Sequence, residues 1–144
     1  MISKLLKVSI LGMVCLWFTS CEKEKVVQVG ELPTVATAYI ETHFPGEQIL
    51  QVKRELDNLR KSYDVILSNG FKLEFSKTGD VKGVEGTSAL PNSVIPSKIL
   101  TYVQTNYAGQ AIFDWELDDN RQEVKLQNGL ELVFDKQGNF IQLD

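Results

Sequence analysis

At 144 residues the chain has room for one domain, or for two very small ones sharing a core, and its 43% hydrophobic and 24% charged content is ordinary for a folded protein. The formal charge of −4 leaves no basic footprint for nucleic acid. The 15 basic residues are scattered among 19 acids, which excludes membrane attachment through a polybasic surface, so membrane contact has to come from lipid.

Lys4 and Lys7 precede an apolar run from Val8 to Phe18, and Thr19-Ser20 supply the small residues that signal cleavage requires. Residues 1–20 therefore read as a signal peptide, the run being too short for a transmembrane span. Phe18-Thr19-Ser20-Cys21 resembles the lipobox of bacterial lipoproteins, with Phe18 where Leu is usual. That resemblance implies cleavage before Cys21 and its acylation, and two or more acyl chains anchor a protein durably. An ordinary secretory signal would instead leave Cys21 as a lone thiol in an oxidising compartment, because Cys15 departs with the leader. With one cysteine left, the mature chain can form neither an internal disulfide nor a cysteine-based metal site. Loss of Lys4 and Lys7 leaves 13 basic residues against 19 acidic, a formal charge of −6. Residues 21–30 read as a short tether.

An internal repeat organises the remainder. Leu32 to Ile49 aligns without gaps, 63 positions on, with Ile95 to Ile112, and Pro33/Pro96, Tyr39/Tyr102, Thr42/Thr105, Gly46/Gly109 and Ile49/Ile112 are identical. Pro33 and Pro96 suit a first helical turn. Ala36, Ile40 and Phe44 then recur at spacing four, as do Ile99, Val103 and Tyr107, which predicts two helices stopped at Pro45-Gly46 and Ala108-Gly109. The period changes to two afterwards. Leu50, Val52 and Leu56 are expected on one inward side of a strand, matched by Phe113, Trp115 and Leu117. Tyr63, Val65 and Leu67, with Val124 and Leu126 in the second half, continue the alternation. Asn69-Gly70 and Asn128-Gly129 mark tight hairpins, whose central residues need positive φ. Phe71, Leu73 and Phe75 face inward on the third strand, as do Leu130, Leu132 and Phe134. Gly79 and Gly138 end these strands, and short fourth strands begin near Val81 and Phe140.

The expected fold is α+β: two tandem repeats, each a helix followed by a four-stranded antiparallel meander, with both helices on one face of a joined or adjacent sheet. Residues 31–86 form the first repeat, 87–93 a linker and 94–144 the second. A unit of about fifty residues buries only about 60% of its chain surface, so the two copies should share a core.

The Leu-Pro start, the Phe44-Pro45-Gly46 stop, the Asn-Gly hairpins and the duplication resemble the PepSY-like family, small exported proteins common in Bacteroidetes and likened in fold to β-lactamase inhibitor protein. The resemblance spans residues 31–144, with Ala108 departing from the pattern where the first copy has Pro45. It implies a periplasmic or surface protein without known catalysis, and suggests inhibition of an enzyme only through analogy of fold.

No residue constellation carries catalytic chemistry. His43 is the only histidine, at the end of the first helix where an imidazolium suits the helix dipole, and its counterpart is Asn106. Asp114, Glu116 and Asp118 alternate along one strand and so share a face, with Asp119 and Arg121 in and after the following turn. They form a candidate partner-binding patch, set against the plainer reading of a solvated strand face. Carboxylates two apart lie roughly 7 Å from each other, wide for a calcium ion that needs about six to eight oxygens at 2.3–2.6 Å. Trp115 alternates against these acids, which places it in the core. The outward positions Asp64, Ile66, Lys72, Glu74, Ser76, Glu123, Lys125, Glu131, Val133 and Asp135 make a charged open face without an aromatic; loops Leu59 to Ser62 and Asp118 to Arg121 are the other candidate contact surfaces. The expectation is a non-catalytic lipoprotein of the cell envelope, on the periplasmic face or the cell surface, without metal or cofactor. It would bind a protein partner in inhibitor-like fashion, or alternatively act as a scaffold or sensor holding a small ligand or peptide between the repeats. The oligomeric state is left open.

Overall fold

The computed structural model describes residues 24–57 and 60–144. The leader and Cys21 lie outside the described residues, as do Asn58 and Leu59. Among the described residues nine strands form one antiparallel sheet whose spatial order follows the chain: β1 (Glu24–Val27), β2 (Ile49–Asp57), β3 (Arg60–Leu67), β4 (Lys72–Ser76), β5 (Val81–Glu85), β6 (Ile112–Asp118), β7 (Arg121–Leu126), β8 (Glu131–Asp135) and β9 (Phe140–Leu143). Helix α1 (Thr34–His43) precedes β2, and α2 (Ser97–Asn106) precedes β6. The fold is thus α+β, and the sheet is joined at its middle by Gly83↔Glu116, Val84↔Trp115 and Glu85↔Asp114 between β5 and β6. Pro33 and Pro96 sit one residue ahead of the helices as cap residues, and the Pro33 carbonyl accepts the Ala36 and Thr37 N–H groups.

The expected tether is corrected by β1. Glu24 to Val27 pairs with β2 from Glu24↔Glu55 to Val27↔Val52, and Val27 packs against the core. The free edge of β2 offers backbone donors and acceptors, and Val26-Val27 have the β-branched side chains that suit them.

One row of facing residues crosses the whole sheet: Val27, Val52, Val65, Leu73, Val84, Trp115, Val124, Leu132 and Leu143. Its members from Val52 to Leu132 are buried, and both helices lay Ala36, Ile40, Ile99 and Val103 over the same face in a single core cluster. Phe75 and Phe134 are fully enclosed, each meeting a helix tyrosine edge-on: Tyr39 at 5.8 Å and Tyr102 at 5.4 Å. Burying each such ring contributes about 1.5–3 kcal/mol. Trp115 is core, as its parity requires. Its indole N–H donates to Gln122 Oε1 at 3.1 Å, and Gln122 Nε2 in turn donates to the carbonyls of Asp135 and Lys136.

Five side chains differ from their expected burial. Leu50 is exposed and Phe113 half-buried, because each is the extra residue of a bulge, between Ile49 and Gln51 and between Ile112 and Asp114, which hands the inward direction to Ile49 and Ile112. Leu56 is 56% exposed at the hairpin end of β2. There the inward face is already polar, with Arg54 paired to Glu31 at 2.8 Å. Leu130 is exposed whereas its counterpart Phe71 packs on Phe44 at 5.8 Å; Tyr107, at the matching end of α2, approaches Tyr102 instead. Val133 is buried although it faces outward, a short side chain between Glu123 and Gln142.

The two ends of the sheet differ in charge. At one end lie the start of β1, the β2–β3 turn and the β4–β5, β6–β7 and β8–β9 turns, with Lys77, Asp80, Asp119 and Lys136 in the last three. The connections at the other end, residues 44–48, 68–71, 86–96, 107–111 and 127–130, contain a single charged residue, Glu47.

Candidate functional site

The open face, opposite the helices, is built from two adjacent rows. One reads Lys53, Asp64, Glu74, Gly83, Glu116 and Glu123 across β2 to β7, and the other Gln51, Ile66, Lys72, Glu85, Asp114 and Lys125. Gly83, lacking a side chain, leaves a depression between Glu74 and Glu116. A Cβ placed there would meet only Glu74 Cβ and Glu116 Cγ at 3.9 Å and the Trp115 carbonyl at 3.6 Å. The result is a groove of about 400 Å³ lined by Lys53, Asp64, Ile66, Lys72, Glu74, Gly83, Glu85, Asp114 and Glu116, lying across the β5–β6 seam.

Acids from four strands converge here, and their protonation reflects it. Glu74 is raised above the ordinary carboxylate range, first by burial and then by the charges of Glu116 and Glu55. Asp114 is raised by burial and by Glu85 and Glu116, and Asp64 by burial and the charge of Glu74. Glu55, beyond Asp64, is raised by burial and by Asp64. The lysines are partly spoken for: Lys72 pairs with Glu85 at 3.2 Å, Lys53 with Glu24 at 3.3 Å and Lys125 with Glu131 at 2.8 Å. Crowded, half-desolvated carboxylates of this kind favour a cationic or hydrogen-bond-donating group, which would relieve their repulsion. Among the described residues no three His, Cys, Asp or Glu side chains are grouped so as to hold a metal ion.

Of the five patch residues read from the sequence, Asp114 and Glu116 lie in the groove. Asp118 and Arg121 face each other at the end of the β6–β7 hairpin and Asp119 occupies its turn, where Asp118 Oδ1 accepts its N–H at 2.7 Å, so these three stand apart from the groove. Asp64, Glu74 and Glu85 are the members that the patch omitted. Their outward direction is visible in the alternation, but their meeting with β6 depends on the seam. His43 closes α1, where its Nδ1 lies 2.9 Å from Ser93 Oγ and its ring 4.3 Å from that of Tyr39. That contact ties α1 to the turn before α2. No helix of the described residues is long and apolar enough to cross a membrane.

A protein-family model described as "Putative beta-lactamase-inhibitor-like, PepSY-like" matches residues 16–59 and 61–142. Among solved structures, a periplasmic protein of the DUF2874 family from Bacteroides vulgatus is 44% identical with a TM-score of 0.82, the match covering 86% of this chain and 98% of that one. A protein from Bacteroides thetaiotaomicron described as calcium-regulated and periplasmic is 39% identical, with a TM-score of 0.80 and coverage of 84% and 96%. A second periplasmic protein of unknown function from Bacteroides vulgatus is 33% identical, with a TM-score of 0.80 and coverage of 84% and 98%. No protein with a curated description matches.

Proposed function

Because the chain belongs to the PepSY-like family, we propose that it is a non-catalytic binding module of the cell envelope whose open-face groove receives a positively charged segment of a protein partner. The observation that carries this reading is the convergence of Asp64, Glu74, Glu85, Asp114 and Glu116 on one concave, half-desolvated surface. The solved relatives are described as periplasmic, which supports an exported address, and Phe18-Thr19-Ser20-Cys21 supports a lipid anchor at Cys21. Residues 31–86 and 94–144 are read as copies of one unit joined by the 87–93 linker. Matching bulges at Leu50 and Phe113, and matching positive-φ glycines Gly46/Gly109, Gly70/Gly129 and Gly79/Gly138, support that reading. An inhibitor-like role follows from the family's description and analogy of fold, with the Asp118–Arg121 turn as a further contact.

The test is capture from envelope extract by the soluble and acylated chains, beside a Glu74→Gln/Asp114→Asn/Glu116→Gln variant. Saturable recovery of one partner, weakened in the variant and by salt, is expected. Recovery that is equal for the parent and the variant, or no saturable partner at all, would refute the groove as its seat.

A second reading, a scaffold or sensor, places a small ligand or peptide between the repeats, in the same groove across the β5–β6 seam. The mixed lining of acids with Lys53, Lys72 and Ile66 favours it. Thermal-shift titration separates the two, since a small ligand raises Tm by mass action without a protein partner.

A further inference from the structure

We infer that the lipid-anchored protein stands on the bilayer by the end of the sheet that carries the β2–β3 hairpin, with no free tether between fold and membrane. The inference rests on the proposed acylation of Cys21 and concerns what the fold then does with it. Cys21 precedes Glu24 by three residues, and three residues of extended chain reach at most about 10 Å. Glu24 is already in β1, in register with Glu55 of β2. The acylated residue is therefore held close to one particular end of the sheet.

That end has the character of a lipid-contacting corner. Leu56, one residue beyond Glu55, is 56% exposed. Val35, in the first turn of α1, is 54% exposed, and it is fixed at this same end by the β4–β5 turn, where a Cβ on Gly79 would come within 3.1 Å of Val35 Cβ. Lys77 stands in that turn, able to meet lipid phosphates. Exposed aliphatic side chains beside a lysine, next to an acyl chain, suit a headgroup boundary. The opposite end, with its Asn-Gly turns and few charges, is then held away from the membrane by the height of the sheet, roughly 20–30 Å for the six to nine residues of its longer strands.

The experiment uses the full chain, processed and acylated in cells and reconstituted in vesicles of phosphatidylethanolamine and phosphatidylglycerol. A fluorophore is placed on Leu56→Cys or on Asn128→Cys, and the lipids carry a headgroup-level quencher. Both sites are exposed turns or strand ends, and circular dichroism of each labelled chain checks the fold. Quenching severalfold stronger at position 56 than at position 128 is the expected result. Equal quenching, or quenching confined to position 128, overturns the orientation while leaving the anchor intact. Metabolic labelling with a fatty-acid analogue, compared with Cys21→Ser, reads the anchor separately, and absence of label on the parent chain overturns both.

Discussion

Replacing Glu74 by Gln should stabilise the protein at neutral pH while weakening its groove. Glu74 shares a row with Asp64 on the next strand and Glu116 beyond Gly83. For carboxylates roughly 7 Å apart, Coulomb's law gives about 0.6–2.4 kcal/mol per pair at effective dielectrics of about 80 to 20. Half-exposure and salt reduce the expected gain to about 0.5–1 kcal/mol. For a domain of this size that corresponds to a rise in Tm of roughly 2–4 °C. The sign depends on pH. Glu74 is raised in the folded state, so the fold binds its proton more tightly than the unfolded chain does. Parent stability therefore rises as pH falls from the raised value toward the ordinary one near 4, and the repulsion is fully present above that window. The advantage of Glu74→Gln should accordingly be present at pH 7 and vanish below about pH 4. Urea unfolding can be followed by the fluorescence of Trp115, the one tryptophan among the described residues. Glu41→Gln, on the exposed side of α1, serves as a control expected to stay within about 0.5 kcal/mol. A destabilised Glu74→Gln at pH 7, or a gain that persists at pH 3, would refute charge crowding as the origin of the shift.

Gln122→Leu should cost about 2–4 kcal/mol in urea unfolding, because it strands the Trp115 N–H inside the core and two carbonyls beside it; a loss under about 0.5 kcal/mol would show that water replaces the amide. Gly79→Ala should cost about 2–4 kcal/mol and Gly109→Ala only about 1 kcal/mol. Both have positive φ, but the new methyl meets Pro33 Cβ at 2.9 Å and Ala36 N at 3.0 Å in the first case and open space in the second, and calorimetry of the pair decides it. Tyr39→Phe should be neutral or stabilising by up to about 1 kcal/mol, since the buried hydroxyl finds no hydrogen-bond partner among the described residues. Alkaline ultraviolet titration of that variant should lose the component that burial pushes up to about 12.

The inward alternation from Tyr63 through Leu67 and from Val124 through Leu126 was legible because period two and a single buried face specify each other. The alternation breaks at Leu50 and Phe113 because a bulge changes parity without changing composition. The Glu24–Val27 stretch gave no packing pattern of its own, since its place is set by the free edge of β2. Half of the groove followed from the sequence, as Asp114 and Glu116 point outward on β6. The other half did not, because no local period encodes that β5 lies beside β6, the pairing that brings Glu74 and Glu85 to them.

Eight neighbouring strand pairs among the described residues could in principle form in any order, yet two differ from the rest in the length of chain they enclose. Glu24↔Glu55 and Gly83↔Glu116 each loop out a helix, whereas the others close over short turns. Loop-closure entropy makes these two the late events of folding and the early ones of opening. Native-state hydrogen exchange should therefore release the amides bridging β5 and β6 before those inside the β6–β7 hairpin. In such a transiently parted molecule both fresh edges would display Glu85, Asp114 and Glu116, a negative fringe that discourages a stranger's strand from taking the vacant place.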